Sequence, residues 1–235
     1  MVATTDVIPA DAVPVLDHGF VRLDGVMADD LSVANAARVS FARRKEELDE
    51  SDEGLIRFLM RDRHGTPFEH NAFRYHVRCP IFVAREWFRH RIGSFNEFSL
   101  RYARATDDFY VPDPEDVRSQ VGKPGAYTFE QVPPELAERA REELRAVYDH
   151  AYETYERLVE AGVAREVARS ALPIGAYTQF YWTVNARALM NFVSLRASEF
   201  AQLEIRRYAE AVEAFFAEQM PVTHAAFVAG GRVAP

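Results

Sequence analysis

The clearest alternation of apolar and polar positions lies at residues 71–79, "NAFRYHVRC". Phe73, Tyr75, Val77 and Cys79 share one side and Arg74, His76 and Arg78 the other, which predicts a half-buried strand. Residues 15–27, "VLDHGFVRLDGVM", also alternate, and Asp24-Gly25 within them is a turn signal, so a strand or hairpin is expected. Helical spacing governs much of the rest. "DDLSVANAARVSF" (29–41) predicts a short helix capped by Asp30 or Ser32, and Leu55, Ile56, Leu59 and Met60 fit a helix over 52–62. Pro80 suits a first helical turn, so "PIFVAREWFRHR" predicts a helix over 80–91, ended with the help of Gly93; a loop and then a strand at about 100–111 follow. Pro133-Pro134 opens a long amphipathic helix to Ala161, with Leu136, Ala140, Leu144, Val147, Ala151 and Leu158 as its stripe and Gly162 as its C-cap. Further helices are predicted at 163–171, 176–197 and 199–219.

The remaining stretches read as irregular. Residues 1–13 predict a flexible tail and 223–235 a frayed one, leaving 14–222 as a single domain without repeat or linker. The charge run "RRKEELDESDEG" (43–54) has no apolar side and predicts a solvated loop. Residues 112–134 hold five prolines and two glycines and predict a loop excursion.

Composition narrows the function. The 235 residues suit one large domain or two small ones. The net charge of -8 argues against a protein that coats nucleic acid, and it makes a local basic cluster more telling, because composition does not supply one. Cys79 is the only cysteine, so no intrachain disulfide forms, and a reducing cytoplasm is the compartment expected. The first residues lack a basic start and a long apolar run, and no stretch approaches the roughly 20 apolar residues of a membrane span. Cys79 falls on the apolar side of its strand and reads as a small core residue.

The candidate chemistry is concentrated in "RHRIGSFNEFSLRY", residues 89–102. Cations at a helix C-terminus favour its dipole, which accounts for one or two of the arginines. It leaves Ser94, Asn96, Glu97, Ser99 and Arg101 unexplained. Guanidinium forks bind phosphate through paired hydrogen bonds, and hydroxyl and amide groups orient a sugar or base. Glu97 would repel phosphate and is expected to pair with an arginine or a ring N–H. The spacing thus points to a nucleotide or other phosphoester.

The stretch also resembles the signature of the flavin-dependent thymidylate synthases, R-H-R-x-x-S-x-N-E-x-S-x-R-Y. Arg89, His90, Arg91, Ser94, Asn96, Glu97, Ser99, Arg101 and Tyr102 match every fixed position. "AARVSF", "TPFEH", "PIFVAREWFRHR", "REVAR", "WTVNARALMNF" and "LRA" follow as family blocks in the family's order. The resemblance implies an α+β fold, a mainly antiparallel sheet with flanking long helices, assembled as a homotetramer with active sites between subunits. It implies methylation of dUMP at C5, with 5,10-methylenetetrahydrofolate as carbon donor and NADPH-reduced FAD as reductant, and no thiol nucleophile.

By position the resemblance makes Arg196 the catalytic residue, a fixed cation against the pyrimidine. It carries FAD contacts to Thr66, Arg89, His90, Arg91, Glu97, Asn185, Ala186, Arg187 and Asn191. Nucleotide contacts carry to Glu86, Trp87, Phe88 and Arg89, to Glu97, Phe98, Ser99, Leu100 and Arg101, and to Arg169 and Arg196. Trp87 and Phe88 read equally as core. His64 and His70 would help place folate, with a surface loop histidine as the alternative for His64. Ser99 is assigned to binding, because no base is evident beside it. Two positions depart from the family: Glu86 stands where some relatives carry glutamine, and Phe200 where relatives often carry histidine. Residues 112–134 do not follow the family pattern.

Two rival classes remain. A nucleotide- or RNA-binding module would use the basic loop and aromatics but leaves the Asn185–Arg196 block unexplained. A metal hydrolase built on His64, Glu69, His70, His76 or His90 suffers from poor ligand spacing.

Overall fold

The computed structural model describes residues 8–123 and 126–235. Its centre is a five-stranded antiparallel sheet formed by β1 (Ala12–Val15), β2 (Gly19–Met27), β3 (Ala72–Pro80), β4 (Ser94–Glu97) and β7 (Tyr177–Asn185), in the order β1-β2-β3-β7-β4. The alternation of β3 does what it predicts: Phe73, Tyr75, Val77 and Cys79 are fully buried, beside Phe180, Trp182 and Val184 of β7. Helices α6 (Ala186–Arg196) and α7 (Leu203–Gln219) pack on this side, and Trp87 stacks on Phe192 with ring centroids 4.7 Å apart. The outer side stays polar. Arg22 and Arg74 both bond Asp24, and the His76 ring stacks on Tyr181. Arg78 breaks the pattern. It is buried, donating to the His18 carbonyl oxygen and pairing with Asp108.

Several expectations need correction. Asp24-Gly25 is no turn; it is an irregularity within β2, where the register shifts between Leu23 and Gly25. The chain reverses instead at residues 16–18, with Leu16 at φ 59. Ala12 and Val13 belong to β1 rather than a tail, and residues 1–7 of that expected tail lie outside the described residues. Helix α1 (Asp30–Arg38) is capped by the Asp29 side chain, not by Asp30 or Ser32. The charge run is no plain loop. Its end forms α2 (Glu50–Arg61) with an Asp49–Asp52 capping box, and Asp52 is fully buried between Arg38 and Lys45.

Helix α3 (Ile81–Trp87) ends at Phe88, so Arg89, His90 and Arg91 lie beyond it. Gly93 matters for another reason. A Cβ there would sit 2.8 Å from Trp182 Nε1 and 3.0 Å from the Thr183 carbonyl oxygen, so the loop crosses the sheet too closely for a side chain. The strand predicted at 100–111 is absent, with β4 standing before it. The 112–134 excursion contains a hairpin, β5 (Arg118–Lys123) and β6 (Ala126–Gln131). Helix α4 (Pro134–Glu160) has its predicted length and Gly162 its positive φ of 87, yet the buried residues are Ala137 and Tyr155, while Leu136 and Val147 are exposed. The helix expected over 163–171 resolves into α5 (Arg165–Ala168) and a 3-10 turn, Arg169–Ala171. The helix expected over 176–197 is half strand, β7, then α6. Helix α8 (Pro221–Ala229), with Thr223 and Phe227 fully buried, replaces most of the expected C-terminal tail.

Candidate functional site

Helices α3 and α6 bring the signature and the Asn185–Arg196 block together. Two cavities flank their junction. One, of about 750 Å³, is lined by Arg89, His90, Arg91, Asn185, Arg187, Asn191 and Arg196, together with Glu69, Ile92, Ala188, Leu195, Ala234 and Pro235. The other, of about 740 Å³, is lined by Phe82, Arg85, Glu86, Phe88, Arg89, Ile174 and Arg196. Arg89 and Arg196 line both, so a molecule in one cavity meets a molecule in the other at these two guanidinium groups.

A third cavity, of about 770 Å³, lies elsewhere, between α2 and α8. It is lined by apolar residues with Glu53, Arg57, Arg61 and Arg63, and it collects none of the signature residues. Convergent polar groups mark a site better than volume does.

Arg196, the last residue of α6, is held from three directions. Its Nε donates to His90 Nε2 at 3.0 Å, Nη1 to Glu86 Oε2 at 2.7 Å and Nη2 to the Glu86 carbonyl oxygen at 3.1 Å. For His90 Nε2 to accept, the ring must be neutral with its proton on Nδ1. Burial, reinforced by the Arg196 charge, lowers the His90 pKa to about 4, which agrees. Burial likewise raises the Glu86 pKa, against the opposing pull of Arg196. By contrast, the side chains of Arg85, Arg89 and Arg91 form no hydrogen bond or ion pair among the described residues, although the chain carries excess acid. Guanidinium groups left unpaired beside a cavity are available to an anionic ligand.

Asn185 caps α6, its Oδ1 accepting from Ala188 N at 2.8 Å; its amide nitrogen faces no such demand. One turn apart on α6, Arg187 and Asn191 present to the same cavity. Arg187 is anchored, Nη1 to Glu69 Oε1 at 2.6 Å and Nε to the Pro235 main-chain oxygen at 2.7 Å.

Other expected site residues lie apart. Trp87 is fully buried within the core, and Ala186 is buried at the start of α6. Thr66 opens a 3-10 turn and lines neither cavity. Glu97 does not pair with an arginine; its Oε1 accepts from Thr178 Oγ1 at 2.8 Å. Phe98 N donates to the Gln179 carbonyl oxygen at 2.8 Å, and Ser99 and Leu100 begin the turn that follows, where Ser99 Oγ accepts from Arg101 N at 3.3 Å. Arg101 pairs with Glu166 at 3.0 Å, and Arg169 is exposed outside both cavities. His70 borders a small cavity of about 370 Å³ that shares Glu69, Ile92 and Asn185 with the first, whereas His64 packs on Phe58. Cys79 is buried, which pushes its thiol pKa up. Among the described residues no three His, Cys, Asp or Glu converge as a metal-holding group, and no helix is long and apolar enough to cross a membrane.

Reading the sequence alone leaves out Ala188 and Leu195, although they share the helical side of Arg187 and Asn191 and spacing could have found them. It also leaves out Ala234 and Pro235, for which no local signal exists.

The fold sets two cavities side by side, with the guanidinium groups of Arg89 and Arg196 at their junction. The thymidylate synthase complementing protein family matches residues 23–222. A flavin-dependent thymidylate synthase of Thermosipho africanus is 48% identical over 214 residues, covering 91% of this chain and 92% of that one. One from Streptomyces coelicolor is 48% identical over 221 residues, covering 88% and 90%. The crystal structure of a UMP/dUMP methylase, PolB, from Streptomyces cacaoi bound with 5-Br UMP superposes with a TM-score of 0.86 at 44% identity, covering 94% of this chain and 97% of that one. The chain belongs to the flavin-dependent thymidylate synthases, a family of methyltransferase enzymes.

Proposed function

We propose that the chain methylates dUMP to dTMP in the cytoplasm, with 5,10-methylenetetrahydrofolate as carbon donor, FAD as cofactor and NADPH as reductant. The observation that carries this is the set of guanidinium groups unpaired among the described residues, Arg85, Arg89 and Arg91, around two cavities that meet at Arg196. The residues present fit FAD: Arg91, Arg187 and the amides of Asn185 and Asn191 supply donors for its phosphates and polar ring edge, beside apolar Ile92, Ala188 and Leu195. When bound, reduced FAD supplies the hydride.

The chain's own residues do the rest. Arg85 and Arg89 hold the nucleotide phosphate in the second cavity. Arg196 meets the pyrimidine where negative charge grows as C5 attacks the carbon donor. Its orientation is set beforehand by Glu86 and neutral His90, so little reorganisation accompanies the reaction. Thr66, Glu97, Ala186, Trp87, Phe98, Ser99, Leu100, Arg101 and Arg169 are proposed to complete the ligand contacts by backbone or on neighbouring protomers. The assembly is proposed to be a homotetramer.

Absorbance and turnover test this. The purified protein, loaded with FAD, is expected to be yellow, to bleach with NADPH, and to transfer labelled carbon from methylenetetrahydrofolate to dUMP in preference to UMP. Arg196→Ala is expected to lower methylation at least about a hundredfold while keeping the flavin spectrum. Methylation unchanged in Arg196→Ala would overturn the catalytic assignment.

A further inference from the structure

Beyond α8 the chain does not run off into solvent. Gly231 and Arg232 both take left-handed backbone, at φ 74 and 58, and fold it back. Arg232 N donates to the Phe227 carbonyl oxygen at 2.9 Å and its Nη1 pairs with Glu213 at 2.5 Å. Ala234 and Pro235 then enter the wall of the flavin-side cavity, with Pro235 buried. There the Pro235 main-chain oxygen accepts from Arg187 Nε at 2.7 Å, while Glu69 holds Nη1. The two anchors leave Nη2 without a partner among the described residues. Gly65 makes room for the arrangement. A Cβ there would clash with the Arg187 guanidinium and come 2.9 Å from the Pro235 oxygen, although Gly65 has an ordinary φ of -74.

We infer that residues 231–235 are a strap that positions Arg187, fixing its guanidinium so that the free Nη2 is presented to the anionic cofactor. This rests on the flavin reading of the cavity. A long arginine free to rotate surrenders rotamer entropy on binding a ligand; one already pinned at Nε and Nη1 surrenders less, and the ligand binds more tightly. Pro235 and Glu69 touch no reacting atom in this account. They are positioning residues that act through Arg187.

The test compares the full chain with one ending at Val233 and with Gly65→Ala, and repeats the shortening in an Arg187→Lys background. Ending at Val233 keeps the Arg232–Glu213 pair, and circular dichroism checks that the fold is intact. Flavin fluorescence quenching on the apoprotein gives the FAD Kd. Shortening is expected to raise it about tenfold, the scale of one hydrogen bond to a charged group, and Gly65→Ala to do likewise. In the Arg187→Lys background shortening is expected to change Kd less than about twofold, because the group it positions is gone. A crystal structure of the shortened, flavin-free chain is expected to show Arg187 displaced from Glu69. An unchanged or tighter Kd, a full tenfold loss persisting in Arg187→Lys, or Arg187 still seated on Glu69 would each overturn the strap. A full chain that binds no FAD while the shortened crystal shows Arg187 displaced would instead overturn the flavin reading and leave the positioning contact standing.

Discussion

At the scale of single residues, the state of His90 decides the site. Its Nε2 accepts from Arg196, and a proton there would replace an acceptor with a second cation. The folded pKa, about 4, lies below the usual 6.5, so between these values the unfolded chain binds the proton and the folded chain does not. Stability from this group therefore rises with pH across that window and is lost as pH falls toward 4. Glu86 acts in the opposite sense just above its usual 4.5, because burial raises its pKa. Replacing His90 by Gln, which offers an acceptor and cannot titrate, isolates the histidine. Urea midpoints between pH 4 and 7 are expected to lose part of their upward slope in His90→Gln; an unchanged slope would mean that His90 titrates alike in both states.

At the scale of elements, buried charge can anchor a helix that composition reads as loop. Asp49 Oδ1 accepts from Ser51 N at 2.9 Å and Asp52 N at 3.1 Å, while Asp52 Oδ2 accepts from Asp49 N at 3.1 Å. Asp49→Ala is expected to destabilise by about 1 kcal/mol, as an N-cap. Asp52→Ala removes a fully buried carboxylate and strands Arg38 and Lys45, so about 3 kcal/mol is expected. Equal losses in urea melts would refute the distinction. The same element shows how far the sequence could be read. Its apolar positions announced α2, but Asp52 looks solvated until Arg38, fourteen residues earlier, closes on it. Strand β3 was legible because one side of it is core and the other polar. Strand β7 was hidden because "YTQFYWTVN" leads straight into the helical spacing of α6, and tertiary pairing with β3 decides between them. The signature residues were legible by type and spacing. That Arg101 turns to Glu166 while Arg85 stays unpaired among the described residues depends on contacts between distant segments, which no local pattern encodes.

At the scale of the whole molecule, part of the exposed apolar surface lies at the rims of the two cavities. Ile92 and Leu195 edge the first cavity at 73% and 56% exposure, Ile174 edges the second, and Phe200, just past Arg196, is 89% exposed. On the opposite kind of surface, the long α4 carries Leu136 and Val147 in water. Rings and branched chains left in water are surface that an association would remove from it, at about 25 cal/mol per Å². We propose that a homotetramer covering these residues would also close both cavities and bring further chains to their rims, which would give Arg101 and Arg169 a place in the reaction although they lie outside one chain's cavities. Light scattering is expected to give the mass of four 26.8 kDa chains. Leu136→Asp with Val147→Asp is expected to yield smaller species that keep their helical circular dichroism and lose methylation together with the assembly. A wild-type monomer that turns over at full rate would show instead that a single chain suffices, and the exposed apolar residues would then need another cover.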